Sequence, residues 1–96
     1  MPKTKTSQIC IVTVTGIDKV GIIARLAATM AKANINIIDV NQKIMADCFV
    51  MTMAIDMTKA DIDIEKLKKK LDRIGLDMSL KITVQDATIF KAMHRV

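Results

Sequence analysis

The chain has 96 residues, of which 51% are hydrophobic and only 2% aromatic, and it carries a formal net charge of +5. At this length it forms one domain with one core, which aliphatic side chains and eight methionines must fill. No apolar run approaches the ~18 residues of a membrane span, and residues 1–8 are polar and basic, so we expect a cytoplasmic protein with no membrane partner.

The first half of the chain predicts a strand, a helix and a second strand. Residues 8–15 are dense in β-branched residues and stop at Gly16, which predicts strand one. After loop 16–21, apolar residues recur at helical spacing, which predicts a helix from Ile22 to about Ala33. Residues 35–45 then place Ile38, Val40 and Ile44 on one face of an extended, half-buried strand two.

The second half predicts a strand, a helix and a last strand. A tight reversal at Ala46 and Asp47 leads into residues 48–57, which are apolar on both faces and predict a central strand three whose second face is also covered. Residues 58–63 include residue types that favour the start of a helix, which predicts helix two after them. Gly75 is a natural C-terminal cap for this helix. Strand four follows, with apolar residues on one side only: Met78, Leu80, Ile82 and Val84.

This βαββαβ order predicts an α+β fold of the ferredoxin-like type, with a four-stranded antiparallel sheet in the order 4-1-3-2 and both helices on one face. We expect a single domain over residues 1–96, with its core in residues 8–85. A C-terminal tail, residues 86–96, is expected to dock through Ile89, Phe90 and Met93. The open sheet face of so apolar a chain predicts self-association, as a homodimer or a dimer of dimers.

The sequence offers few residues from which a catalytic or metal-binding site could be built. His94 is the only histidine, so neither a triad nor a histidine-based metal site can be built. Cys10 and Cys48 lie in apolar strand runs without a cysteine or histidine partner nearby, and we expect both to be small core residues. The sequence therefore predicts a protein that is not an enzyme and that needs no cofactor and no metal.

Two rival functions share the predicted topology. RNA-recognition motifs stack bases on exposed aromatics of strands one and three, but strand one has none and strand three has only Phe49, so we expect no nucleic-acid partner. The lysines of helix two have an ordinary explanation as a solvated face. An acylphosphatase-like hydrolase needs a glycine-rich phosphate cradle with an arginine, whereas Arg25 lies a turn into helix one and the cradle sequence is missing.

Loop 16–21 (GIDKVG) is the one loop whose composition favours ligand binding. It joins a strand to a helix start, where free backbone N–H groups and the helix dipole favour an anion, and Gly16 and Gly21 permit close approach. The plainer alternative is a strand-to-helix turn in which Asp18 satisfies the helix-start amides. The loop matches neither the P-loop nor the dinucleotide-binding pattern.

The run VTGIDKVGIIARLA, the segment ANINIID after helix one, and the βαββαβ order together resemble the ACT domain family over residues 8–85. Family positions fall on Asp18, Gly21 and Asn36, and Val20 stands where many members carry proline. The ending IFKAMHRV, with NQKIM in strand two, further resembles small stand-alone ACT proteins related to glycine-cleavage-system regulators.

This resemblance implies a regulatory module that binds an amino acid or another small metabolite between subunits, commonly with two sheets joined edge to edge. The implied contacts lie in loop 16–21 and at the start of strand two: Gly16, Asp18, Val20, Gly21, Ile22, Asn36 and Asp39. Related members often have a neutral amide in place of Asp18, whose charge would suit a ligand ammonium and repel a carboxylate. A protein-interaction module with a vestigial ligand site, and hence a protein partner, stays open as the alternative.

Overall fold

The structure is a computed structural model that describes residues 8–87. Its elements follow the predicted order: β1 (Ile9–Ile17), α1 (Ile22–Lys32), β2 (Asn36–Met45), β3 (Cys48–Asp56), α2 (Ile64–Met78) and β4 (Leu80–Asp86). The predicted docking of Ile89, Phe90 and Met93 lies outside the described residues. Neither helix in residues 8–87 is long and apolar enough to cross a membrane.

The four strands form one antiparallel sheet in the order β2-β3-β1-β4, which confirms the predicted ferredoxin-like topology. Alternate side chains of the two inner strands are buried beneath the helices, because successive side chains of a strand point to opposite faces. The core joins these side chains to the apolar stripes of α1 and α2, and includes Val12, Val14, Met51, Met53, Leu26, Met30, Leu67 and Leu71.

Helix α2 does not end at Gly75, so the prediction of a glycine cap there was wrong. The helix continues to Met78 and ends at Ser79, whose left-handed backbone (φ 56°) closes the last turn. Gly75 lies inside the helix because α2 packs closely on the start of β4, where a Cβ on Gly75 would sit 2.7 Å from the Leu80 carbonyl oxygen. At the other end, the Asp63 carboxylate accepts a hydrogen bond from the Lys66 amide at 2.9 Å, which confirms the predicted helix start.

Strand β2 is exposed along almost its whole length, rather than half buried as expected. It is an edge strand, and among its side chains only Ile37 is partly buried. A register shift between Ile37 and Asp39 takes Ile38 out of the alternation, so Ile37 instead shares the helix-facing side with Val40 and Ile44. The helices cover the centre of the sheet and leave these apolar side chains in solvent.

Strand β3 is an inner strand, as predicted, but residues 8–87 do not cover its second face. Val50 and Ala54 are half-buried there, while Cys48 and Thr52 are exposed. Cys10 is buried as expected, and burial raises the pKa of its thiol. The prediction for Cys48 was wrong, because this residue directly follows the β2–β3 turn and lies on the open face of the sheet.

Candidate functional site

The predicted ligand loop is shorter than expected because β1 continues through Gly16 and Ile17. Gly16 pairs with Leu80 of β4, and a Cβ on Gly16 would lie 2.6 Å from the Leu80 Cδ2 atom. Close packing against β4 therefore explains why this position has a glycine. The part of the predicted site that faces solvent between β1 and α1 is residues 18–21.

Helix α1 starts without a side-chain cap in the described part of the chain. Gly21 is the N-cap residue with φ 92°, and the first helical bond runs from the Arg25 amide to the Gly21 carbonyl at 3.0 Å. The alternative in which Asp18 caps the helix was therefore wrong. The first amides of α1 keep the partial positive charge of a helix N-terminus, which suits an anionic ligand group.

Hydrogen bonds hold the loop from two sides. The Asp18 amide donates to the Asp47 carbonyl at 3.3 Å, which joins the loop to the two-residue turn between β2 and β3. The Lys19 ammonium donates to the Met78 carbonyl at 2.7 Å, which joins it to the end of α2. The Asp18 side chain is exposed, and Val20 is fully exposed, while the Ile22 side chain is buried in the core.

The structure does not bring Asn36 to the loop of its own chain, although the resemblance implies that both belong to one ligand site. Asn36 pairs with Asp56, which also pairs with Ile9 at the start of β1, whereas the loop follows Ile17 at the other end. Eight residues of extended strand separate these ends by about 26 Å. Helix α1 carries the chain away from the loop before β2 begins.

Asp39, Asp56 and Asp77 have local structural roles. The Asp39 carboxylate accepts from the Val40 amide at 2.9 Å, next to the register shift of β2. The Thr58 hydroxyl and amide lower the pKa of Asp56 by hydrogen bonding to its carboxylate. The Arg25 guanidinium bonds the Asp77 carboxylate at 2.6 Å and lowers its pKa, so Arg25 has a partner in α2.

The rival chemistries find no support within residues 8–87. No group of three or more His, Cys, Asp and Glu side chains in that range is placed to hold a metal ion. Phe49 is 2% exposed and points toward the helices, so the described sheet surface carries no aromatic side chain for base stacking.

A groove with a volume of about 530 Å³ lies between α1 and α2 and is called here the interhelical groove. It was not predicted from the sequence. Basic side chains from both helices line it, over a floor that includes Ala33, Ile62 and Ile74. The basic lining residues are Arg25, Lys32, Lys66, Lys69, Lys70 and Arg73. Their three-, four- and seven-residue spacing along each helix was the available signal, since such residues share one helix face.

Comparisons with known proteins agree with this fold. The sequence model of the ACT domain family matches residues 8–85 of this chain. A UPF0237 protein of Methanococcus maripaludis is 41% identical over 86 residues, which are 90% of this chain and 96% of that protein. An ACT domain protein from Streptococcus pneumoniae superposes with a TM-score of 0.77 at 30% identity, covering 93% of this chain and 100% of that one.

A solved protein described as a glycine cleavage system transcriptional repressor has a TM-score of 0.74 at 22% identity, over 85% of this chain and 47% of that one. At that identity the likeness concerns the fold alone.

Proposed function

Because the chain belongs to the ACT domain family, whose members are generally regulatory ligand-binding modules, we propose that it is a non-catalytic, cytoplasmic regulator that binds a small metabolite between two copies of itself. An amino acid is the first ligand class to test. The observation that carries the proposal is the self-complementary edge of β2, which would complete the loop site with a residue from a second chain.

Strand β2 has the properties of an edge that pairs with another strand. It is ten residues long, and its exposed apolar side chains include Ile38, Ile44 and Met45, at 51%, 56% and 61% exposure. A long, exposed, apolar edge offers unpaired N–H and C=O groups and is a ready template for strand addition. The opposite edge, β4, is shorter, and its outward residues Lys81, Thr83 and Gln85 are polar.

The charges of β2 favour one register. An antiparallel pair of β2 strands with its two-fold axis at Asn41 places Asp39 opposite Lys43 of the partner subunit, and Lys43 opposite the partner's Asp39. Both side chains lie on the open face, since Asp39 pairs with Ala54 and Lys43 with Val50. Opposite charges that face each other across a strand pair each contribute ~0.2–1 kcal/mol.

The same register would bring Asn36 of the partner subunit to the loop. Counting outward from Asn41 and allowing for the register shift at Ile38, the partner's Asn36 falls opposite Met45, next to the β2–β3 turn. That turn contacts the loop through the hydrogen bond between the Asp18 amide and the Asp47 carbonyl. Within one chain Asn36 lies ~26 Å from the loop, but in this dimer the partner's Asn36 would lie close to it.

The loop and the partner's Asn36 have groups for both ends of an amino acid. The uncapped amides after Gly21 suit the ligand carboxylate. The exposed Asp18 carboxylate suits the ligand ammonium, and an asparagine amide both donates and accepts. Lys19 donates to the Met78 carbonyl, so of the two charged side chains in residues 18–21 it is Asp18 that faces solvent without a hydrogen bond in the described structure.

Charge reversal tests the assembly. Each single change, Asp39→Lys or Lys43→Asp, places like charges at both symmetric positions and should weaken the dimer roughly 4- to 1,000-fold, from ~0.4–2 kcal/mol at each pair. The double change restores opposite charges and should restore the dimer. Light scattering against the 10.6 kDa monomer reads the result, and Lys81→Asp on β4 is the charge-matched control. Single variants as dimeric as the parent would refute this register.

A thermal-shift screen with the standard amino acids tests the ligand. A ligand at 100 times its dissociation constant adds ~2.7 kcal/mol to the free energy of unfolding. The shift should disappear in the monomeric charge variants, because the site would then lack the partner's Asn36. A shift of equal size in a monomeric variant would place the site within one chain.

A protein-interaction module with a vestigial ligand site is the second candidate. The partly exposed apolar side chains of the open sheet face favour it, among them Ile9, Ile11 and Val50. A dimer that shows no shift with any metabolite would support this function over the first.

A further inference from the structure

The interhelical groove concentrates positive charge. Residues 8–87 contain eleven lysines and arginines and ten aspartates and glutamates. Six of the cations line the groove with one carboxylate, Asp61, and a second carboxylate, Asp77, pairs with two of them at its α2 end, which leaves five cations and eight carboxylates on the rest of the described chain. The described domain is therefore divided into a basic helix face and an acidic remainder. We propose that the interhelical groove is a binding site for a small polyanion, specifically a phosphate-bearing metabolite.

Within residues 8–87, ion pairing accounts for only the two arginines among these cations. The two ion pairs seen in residues 8–87 join Arg25 and Arg73 to the same carboxylate, Asp77, at the α2 end of the groove. The groove lysines take part in neither pair. On α2, Lys66 and Lys70, and also Lys69 and Arg73, are spaced four residues apart, and like charges at this spacing destabilise a helix. A bound polyanion would offset the repulsion between these cationic side chains.

The shape of the groove suits a small ligand. A volume of about 530 Å³ lies in the usual range for small-molecule sites. Along α1, Arg25 and Lys32 are seven residues apart, or about 10 Å, which matches a short chain of phosphate groups better than a length of nucleic acid. The apolar floor of Ile62 and Ile74 offers a surface for the uncharged part of a metabolite.

The number of cations in the walls favours phosphate, since a phosphate group carries nearly two negative charges and three acceptor oxygens, whereas a carboxylate carries one charge. Arginine forms paired hydrogen bonds with phosphate oxygens, and lysine ammonium groups add charge without fixed geometry. Cations approach from both helices, so successive phosphates would meet a donor on each side. The groove shares no residue with the proposed amino-acid site and is independent of dimer formation.

Calorimetry with inorganic tripolyphosphate tests the proposal on the full chain. We expect binding at about 0.15 M salt, where exposed charges more than ~8 Å apart are largely screened. The groove variant Lys32→Gln/Lys66→Gln/Lys70→Gln should lose at least roughly tenfold in affinity. The control Lys59→Gln/Lys68→Gln/Lys81→Gln removes the same charge outside the groove and should change affinity less than about twofold. If a triple variant fails to fold, Lys70→Gln against Lys68→Gln makes the same comparison on one helix.

Several results would overturn the proposal. One is no heat of binding up to about 1 mM tripolyphosphate, and another is an equal loss in groove and control variants, which would mean diffuse attraction. Citrate that binds as tightly as tripolyphosphate would remove the preference for phosphate. A single-stranded RNA of about 12 nucleotides that binds more tightly, and loses affinity in the groove variant, would assign the groove to nucleic acid instead.

Discussion

Replacing Gly75 by alanine should destabilise the protein, although the same change in most helix interiors stabilises it. Alanine is favoured over glycine by about 1 kcal/mol in a helix. Here the added Cβ would lie 2.7 Å from the Leu80 carbonyl oxygen, a backbone atom of a residue that pairs with Gly16 in the sheet. Overpacking of this kind costs ~1–3 kcal/mol. Because the clash is with a backbone oxygen and not with the end of a flexible side chain, it belongs in the upper part of that range, and subtracting the propensity gain leaves a net loss of about 1–2 kcal/mol.

Urea unfolding at a fixed protein concentration measures this loss, because dimer formation would make stability depend on concentration. Leu76→Ala is the control, since its side chain is 80% exposed in the same turn and should change stability by less than about 0.5 kcal/mol. An alanine variant at Gly75 that equals or exceeds the parent in stability would refute the close packing of α2 on β4.

Three further changes have defined outcomes. Asp18→Ala should weaken binding of an ammonium-bearing ligand by roughly 10- to 150-fold while the dimer stays intact, and undiminished affinity by calorimetry would move the site elsewhere. Removing residues 88–96 should lower the free energy of unfolding by ~1.5–3 kcal/mol for each apolar side chain that docks, whereas an unchanged melting temperature would mean that the tail contributes nothing. Arg25→Gln should return the pKa of Asp77 toward 3.8 in an NMR titration. Because the pKa of Asp77 is depressed in the folded state, its stabilising contribution is present above pH 3.8 and is lost as the pH falls through the folded pKa. The free energy of unfolding of the variant should therefore fall less on acidification than that of the parent.

The order of elements and the sheet topology could be predicted from the sequence because periodicity reports which faces are buried. The same signal failed where burial depends on position in the sheet. Ile38, Val40 and Ile44 alternate as a half-buried strand would, yet β2 lies at an edge beyond the helices and its register shifts at Ile38. Cys48 resembles a core residue in a strand that is apolar on both faces, but residues 8–87 leave one of those faces open.

The ends of elements and the composition of the site needed three-dimensional distances. A glycine near the expected end of a helix suggests a cap, whereas Gly75 is required by an oxygen atom of β4 that no local pattern reveals. Gly21 could be placed at the start of α1 because a helix start has a local signature. Asn36 matched a family position, but only strand pairing shows that it lies at the far end of the sheet and would need a second chain.

The excess of cations on the helix face over the rest of the described chain implies an electric dipole moment directed toward the helices. Such a molecule turns in the field of a charged surface before it makes contact. On a cation-exchange resin or a negatively charged sensor chip, the helices would face the support while the open sheet face and the β2 edge point into solution. Retention should then exceed what the formal charge of +5 suggests, and immobilised protein would keep its pairing edge available to a second copy.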